Sequence, residues 1–290
     1  MKIAVISCIH GNLAALEAVL ADIDQQGAEQ TFCLGDLVGY GPYPNEVVAM
    51  VRDRNIPACQ GCWDEDIIDG LNACECSYPS LLAEKRGHLA HQWTDAEVTA
   101  KTREYLAQMP LALRHENLCF VHGSPQSQHE YLLPETSAFM ALERVLSTGA
   151  DVLFCGHTHV PYVRTLSDGQ LQIRVVQGDE PAANGASKPA TKRTLKSLDS
   201  DTPSQTLTSP LKRIINAGSV GEPRHGKPQA TYVIYDTLSQ QTTFREVDYD
   251  YANTCEAIVE KGLPPIFAWR LSQGLEFAEK ADDPTHICER

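Results

Sequence analysis

The sequence predicts an α/β protein, and three observations carry that reading. Short apolar runs alternate with helical patterns over the first 160 residues, closely spaced β candidates follow, and glycine-bearing motifs close several of the runs. At 290 residues the chain suits a single large domain, and one is expected over 1–290.

Residues 2–7 read as a compact apolar strand, after which Leu13, Leu16, Val19, Leu20 and Ile23 recur at helical spacing. A strand is expected at 30–34. A helix over 44–55 follows, opened by Pro44, with Val47, Val48 and Val51 on one face. A third strand is expected at 57–60. Helices are expected at 81–92 and 95–108, with Thr94 placed to cap the second. Strands at 118–121 and 152–155 flank a helix at 135–147. Beyond Gly156, β candidates at 162–166, 170–176, 213–216, 231–236 and 242–247 suggest a second, antiparallel sheet. Helices at 252–261 and 265–273 come last. Residues 177–211 are rich in Ser, Thr, Pro, Lys, Asp and Ala and lack any aromatic residue. Such a segment buries too little surface to offset its ordering entropy, so it is expected to be a disordered insertion in a β-hairpin connection. A docking or regulatory loop is the alternative.

Lys and Arg total 24 against 38 Asp and Glu, a net charge of −14, and a field of that sign argues against a nucleic-acid-binding surface. It admits a small phosphorylated substrate, since bound divalent metals reverse the sign locally. The opening apolar run is too short for a signal-peptide core, and no stretch approaches the ~18 apolar residues of a membrane span. The expectation is a cytoplasmic protein with no membrane partner, a homo-oligomer remaining open. In a reducing compartment its ten cysteines would serve as core thiols, metal ligands or reactive groups.

Five motifs end predicted strands: Cys8-Ile9-His10-Gly11-Asn12, Gly35-Asp36, Gly61-Cys62-Trp63-Asp64, Val121-His122-Gly123 and Gly156-His157-Thr158-His159. Strand ends are where α/β folds place ligand groups, and every motif bears a metal-capable side chain. Singly, each has an ordinary structural reading, a core histidine or a turn. Five in this order point to one site.

The order resembles that of the calcineurin-like metallophosphoesterases, over about the first 165 residues and again at Asn216–Gly221. It looks closest to a small bacterial subgroup carrying the Gly35–Pro42 stretch, and Cys74–Tyr78 also looks like a subgroup signature. The resemblance implies a four-layer α/β/β/α sandwich of two mixed sheets, with metals at the sheet edges. It implies that position 8, His10, Asp36 and His159 hold one metal, and that Asp36, position 62, His122 and His157 hold the other. A bridging carboxylate and neutral imidazoles suit two cations, which ~3.5–4 Å apart would acidify a shared water and clamp phosphoryl oxygens. The activity implied is a dinuclear-metal phosphoesterase in which a hydroxide bridging the metals attacks a phosphomonoester or phosphodiester.

The chain departs from that pattern at three positions. Cys8 stands for the usual aspartate, Cys62 for the usual asparagine, and Trp63 for a frequent histidine that acts on the leaving group. Thiolates favour softer metals, so zinc or iron is expected ahead of manganese. Asp64 is expected to orient a ligand. Asn12 reads as a substrate-side polar group or a helix cap, and Arg224 as a phosphate partner or a surface arginine. Cys33, Cys119 and Cys155 read as core residues. Two other functions stay open: a thiolate-ligated iron, zinc or copper protein of different chemistry, and a non-catalytic descendant that senses redox state or binds a partner.

Overall fold

The computed structural model describes residues 1–70, 80–167 and 211–275. In chain order the first half comprises β1 (Lys2–Ile6), α1 (Leu13–Gln26), β2 (Gln30–Cys33), α2 (Pro44–Asp53), α3 (Cys62–Asp69), α4 (Leu81–Glu97) and α5 (Ala100–Gln108). Then come β3 (Ala112–His115), β4 (Leu118–Val121), α6 (Ala138–Thr148), β5 (Val152–Cys155) and β6 (Tyr162–Leu166). The chain continues with β7 (Lys212–Asn216), β8 (Ala230–Asp236), β9 (Thr242–Val247), α7 (Tyr251–Glu260) and α8 (Ile266–Gln273).

Strand β1 is apolar on both faces, which suits an interior strand of a layered fold. Ile3 and Val5 face the second sheet, while Ala4 and Ile6 face helices α1 and α2. The first sheet has the order β2-β1-β8-β9, with β1 parallel to β2 and antiparallel to β8. The second has the order β3-β4-β5-β7-β6, parallel through β4, β5 and β7 and antiparallel at both edges. Between them Phe32, Phe120 and Phe154 stack in sequence with ring centroids 4.2 and 5.0 Å apart, and Tyr235 meets Phe154 edge-on at 5.4 Å. Helix α6 covers the outer face of the second sheet. The four-layer sandwich of two mixed sheets is therefore observed. Helices α7 and α8 pack on Tyr40, Cys62 and Trp63, at the end of the sheets where the motifs lie. Among the described residues, no helix is long and apolar enough to cross a membrane.

Several expectations need correction. The later strands do not make an antiparallel sheet of their own. β6 and β7 extend the second sheet, while β8 and β9 complete the first, because β1 needs a neighbour on its other edge. No strand forms at 57–60: Pro57 has no N–H to give, and pairing stops at a single parallel bridge from Cys33 to Ala58. Thr94 is no cap. Its hydroxyl donates to the Ala90 carbonyl at 2.8 Å inside α4, and Thr99 caps α5 by accepting from Thr102 N at 3.2 Å. Helix α6 begins later than expected, behind a Ser137 cap. Helix α3 and strand β3 were not foreseen. Cys33, Cys119 and Cys155 are buried free thiols, as expected. The strand expected at 170–176, Cys74, Cys76 and residues 177–210 of the expected insertion lie outside the described residues.

Candidate metal centre

Each motif follows the C-terminal end of a strand or the short bridge, so the loops converge on one edge of the two sheets. Among the described residues, nine non-glycine residues have positive φ, and five of them are Cys8, His10, Asp36, His157 and His159. L-residues are held in that region only where the surroundings over-determine them. Here backbone bonds do so: Cys8 N donates to Gly35 O at 3.0 Å, and His10 N to Asp36 O at 2.9 Å. Alternating left-handed residues bring Cys8 and His10, and likewise His157 and His159, to the same side of their loops. Helix α3 approaches so closely that a Cβ on Gly61 would lie 2.2 Å from Asp36 N.

Asp64, fully buried, accepts from the backbone amides of Asp36, Leu37 and Gly61 at 2.8, 2.9 and 3.0 Å. It therefore shapes the Asp36 turn and makes no approach to solvent. Asp36 Oδ1 accepts from Trp63 N at 2.9 Å. That leaves Oδ2 pointing between His10 Nε2 at 3.4 Å and His122 Nε2 at 3.3 Å.

Two buried donor groups result, Cys8/His10/Asp36/His159 and Asp36/Cys62/His122/His157, the donor atoms of each lying within 4.8 Å of one another. The structure thus brings together all seven metal-ligand candidates, with Asp36 common to both groups. Cys62 Sγ stands 3.7 Å from Asp36 Oδ2 and 3.5 Å from His157 Nδ1. Cys8 Sγ accepts from His157 N at 3.4 Å.

Burial pushes Cys8 and Cys62 well above the ordinary thiol value, and the Asp36 charge pushes them further. Burial also acts to raise Asp36, but His122, His10 and His157 outweigh it and hold the carboxyl low. Asp64 is raised to about 7 by burial and by Asp36. Burial lowers His10, His157 and His159 below the ordinary imidazole value; His122 is raised, since Asp36 overcomes its burial.

The hydrogens decide whether this donor set suits cations. His10 Nδ1–H donates to Val38 O at 3.0 Å and His159 Nδ1–H to Glu222 O at 2.5 Å. A neutral imidazole has one N–H, so their Nε2 atoms, 3.2 Å apart, turn lone pairs toward each other. His122 Nδ1–H is likewise committed to Leu34 O at 2.8 Å, and its Nε2 meets His157 Nδ1 at 3.1 Å. Converging acceptors beside a carboxylate and two thiols fit positive ions.

The remaining candidates divide. Asn12 caps α1, accepting from Ala15 N at 3.2 Å, and its amide donates to Gly221 O and Tyr249 Oη at 3.0 Å each, so the structure shows the cap of its two readings. Arg224 is a half-buried ion-pair partner of Glu222 at 3.0 Å and not a solvated surface arginine. Trp63 is buried, 4.4 Å from the Tyr40 ring and edge-on to His10 at 6.3 Å. Glu222, Tyr40 and Arg270 were missed by sequence reasoning. Glu222 directly follows the Asn216–Gly221 stretch already singled out, a signal that was present. Arg270 on an amphipathic helix gives none.

The chain matches the model of the calcineurin-like phosphoesterase superfamily domain over residues 1–195. It is similar to the uncharacterized protein MJ0912 of Methanocaldococcus jannaschii, 33% identical over 278 residues, 94% of this chain and 98% of that protein. A metallophosphoesterase from Sphaerobacter thermophilus superposes with a TM-score of 0.68 at 32% identity, covering 95% of this chain and 99% of that one. The hypothetical protein PH1004 from Pyrococcus horikoshii OT3 superposes with a TM-score of 0.67 at 20% identity, over 94% and 98% of the two chains, a likeness of fold alone.

Proposed function

Because this chain belongs to the calcineurin-like phosphoesterase superfamily, we propose that it is a metal-dependent phosphohydrolase acting on a small phosphomonoester or phosphodiester. The observation that carries the reading is the pair of donor groups sharing Asp36 Oδ2. Cys8, His10, Asp36 and His159 would hold one ion, and Asp36, Cys62, His122 and His157 the other, with zinc or iron preferred over manganese. Bound there, two cations supply an acidified water and charge neutralisation for the phosphoryl group.

The chain's own residues do the rest. His10, His122 and His159 are locked by their Nδ1 hydrogen bonds with Nε2 toward the centre. Asp64 fixes the Asp36 turn, and Asn12 braces the Gly221 loop. Arg224 offers a guanidinium beside the site for a phosphate oxygen, its charge partly balanced by Glu222. Trp63 brings no usable proton to the position it occupies, so leaving groups that depart without protonation should react best.

Elemental analysis of the purified chain, combined with turnover of p-nitrophenyl phosphate and bis-p-nitrophenyl phosphate, tests the proposal. Two metals per chain with turnover that is lost in Asp36→Ala supports it. A metal-free chain, or turnover unchanged in Asp36→Ala, rejects it. Trp63 and the two thiols favour one second reading, a thiolate-ligated metal centre of other chemistry. Stoichiometric iron or copper without phosphate release would identify that case.

A further inference from the structure

Helix α8 packs on Tyr40, Cys62 and Trp63, and its polar contacts lead toward the Cys8 donor group. Its Arg270, buried on the inner face, forms an ion pair with the Glu222 carboxylate. The guanidinium lies over the rings of Tyr40 at 4.9 Å and Phe267 at 5.3 Å. Tyr40 in turn lies 4.9 Å from the His10 ring. Glu222 meets His159 twice, through its carbonyl at 2.5 Å from Nδ1 and its carboxylate at 3.3 Å from the same atom. Between α8 and the site, a gap of about 10 Å³ lined by His10, Tyr40, Glu222 and Phe267 has room for about one water molecule.

A carboxylate against the Nδ1–H of a ligating imidazole fixes the ring and makes its other nitrogen a stronger donor. The Glu222 carboxylate can do this only while it is held in place. Arg224 comes from the same loop and moves with it. Arg270 comes from a separate helix and lies over two adjoining rings, so it ties the carboxylate to the rest of the fold. Both imidazoles that this arrangement reaches, His10 and His159, belong to the Cys8 donor group.

We propose that Arg270 is a positioning residue for the ion held by Cys8, His10, Asp36 and His159, acting through Glu222, so that the affinities of the two ions are set separately. The inference rests on the metal-binding reading above. The test is equilibrium dialysis of the full chain against Co²⁺ in two backgrounds. His122→Ala disables the Cys62 group and leaves the Cys8-group ion to report; His10→Ala does the reverse. Adding Arg270→Met should weaken the Cys8-group ion about 10- to 100-fold and leave the other ion within about twofold. Arg270→Lys, which keeps the charge without the planar fork, should recover part of the loss. Ala268→Gly, which loosens the same helix while both rings beneath the guanidinium remain, should change neither ion. Should Arg270→Met fail to fold, Glu222→Gln carries the same expectation, since it keeps the backbone carbonyl and removes the anion. Equal weakening of both ions, or no weakening in a folded variant, overturns the inference. Absence of Co²⁺ uptake by the unsubstituted chain overturns the metal reading itself, a failure visible before any variant is made.

Discussion

His10 Nε2 and His159 Nε2 stand 3.2 Å apart with neither able to offer the other a hydrogen, because each ring has given its Nδ1–H to a backbone carbonyl. Two lone pairs at that distance repel unless a positive charge lies nearby. The chain keeps the arrangement at the further cost of left-handed backbone at both residues. A cation bound there would relieve that tension, and the predictions below follow from the proposed metal binding.

Asp36→Ala should deplete both ions together. Its Oδ2 lies 3.4 and 3.3 Å from imidazoles of the two groups, whereas each histidine serves one. The affinity loss should exceed the roughly 10–100-fold cost of removing a mere supporting group. Elemental analysis that still finds two metals per chain would refute the shared carboxylate.

Metal affinity should rise with pH. Cys8 and Cys62 are pushed up by burial and by Asp36, so without metal the folded chain keeps both thiols protonated through neutral pH. Each thiol that becomes a ligand then releases a proton, worth about one log unit of affinity per pH unit. Calorimetric Zn²⁺ titrations in buffers of different ionisation enthalpy count those protons, and a count of zero means that neither sulfur binds. The same shift bears on the metal-free fold. A thiol raised above its unfolded value of ~8.5 favours the folded state below that pH and loses the contribution as pH climbs past it. Thermal melts of the metal-free chain should therefore fall above pH ~8.5, and less so in Cys8→Ser/Cys62→Ser.

Restoring oxygen ligands should speed phosphate ester hydrolysis. A thiolate at position 62 adds negative charge where a neutral amide would not, and that charge opposes acidification of a shared water. Cys8→Asp with Cys62→Asn should raise p-nitrophenyl phosphate turnover about tenfold, or ~1.4 kcal/mol. Metal-edge absorption should show sulfur near ~2.3 Å in the parent chain and lose it in the double variant. An unchanged rate would direct attention to Trp63.

Replacing residues 177–211 by a Gly-Ser turn should leave the melting temperature and metal content nearly unchanged. Strands β6 and β7 pair antiparallel with Leu166 opposite Lys212, so a short connection can join their ends. Loop closure entropy changes slowly with length, about 0.6 kcal/mol per doubling. A large drop in either quantity would show that the segment supports the core.

The sequence displayed the donor set well because each donor sits in a local motif at the end of an apolar run: Cys8 and His10 after β1, His157 and His159 after β5. What it hid was long-range. Nothing in 231–236 says that this strand joins β1, since periodicity marks a face without naming a neighbour. Thr94 and Thr99 both precede helical patterns, and the choice between them depends on α4 running on to Glu97 and on Thr99 N reaching the distant Asn45 side chain. Glu222 and Arg270 are far apart in the chain, and no spacing rule links a loop carboxylate to an arginine on the closing helix.

The place of β8 beside β1 also has a consequence for how the chain is made. The first sheet cannot close until residues 230–236 have left the ribosome, although Cys8 and His10 are among the earliest translated. At a synthesis rate of ~5–20 residues per second, the opening strand waits roughly 10–50 s for its partner. During that interval Cys8 and Cys62 are solvent-accessible thiols on a nascent chain, without the burial that later keeps them protonated. On the proposed metal-binding reading, metal acquisition and protection from oxidation would belong to the last stage of biosynthesis, when β8 docks and α8 brings Arg270 down onto Glu222.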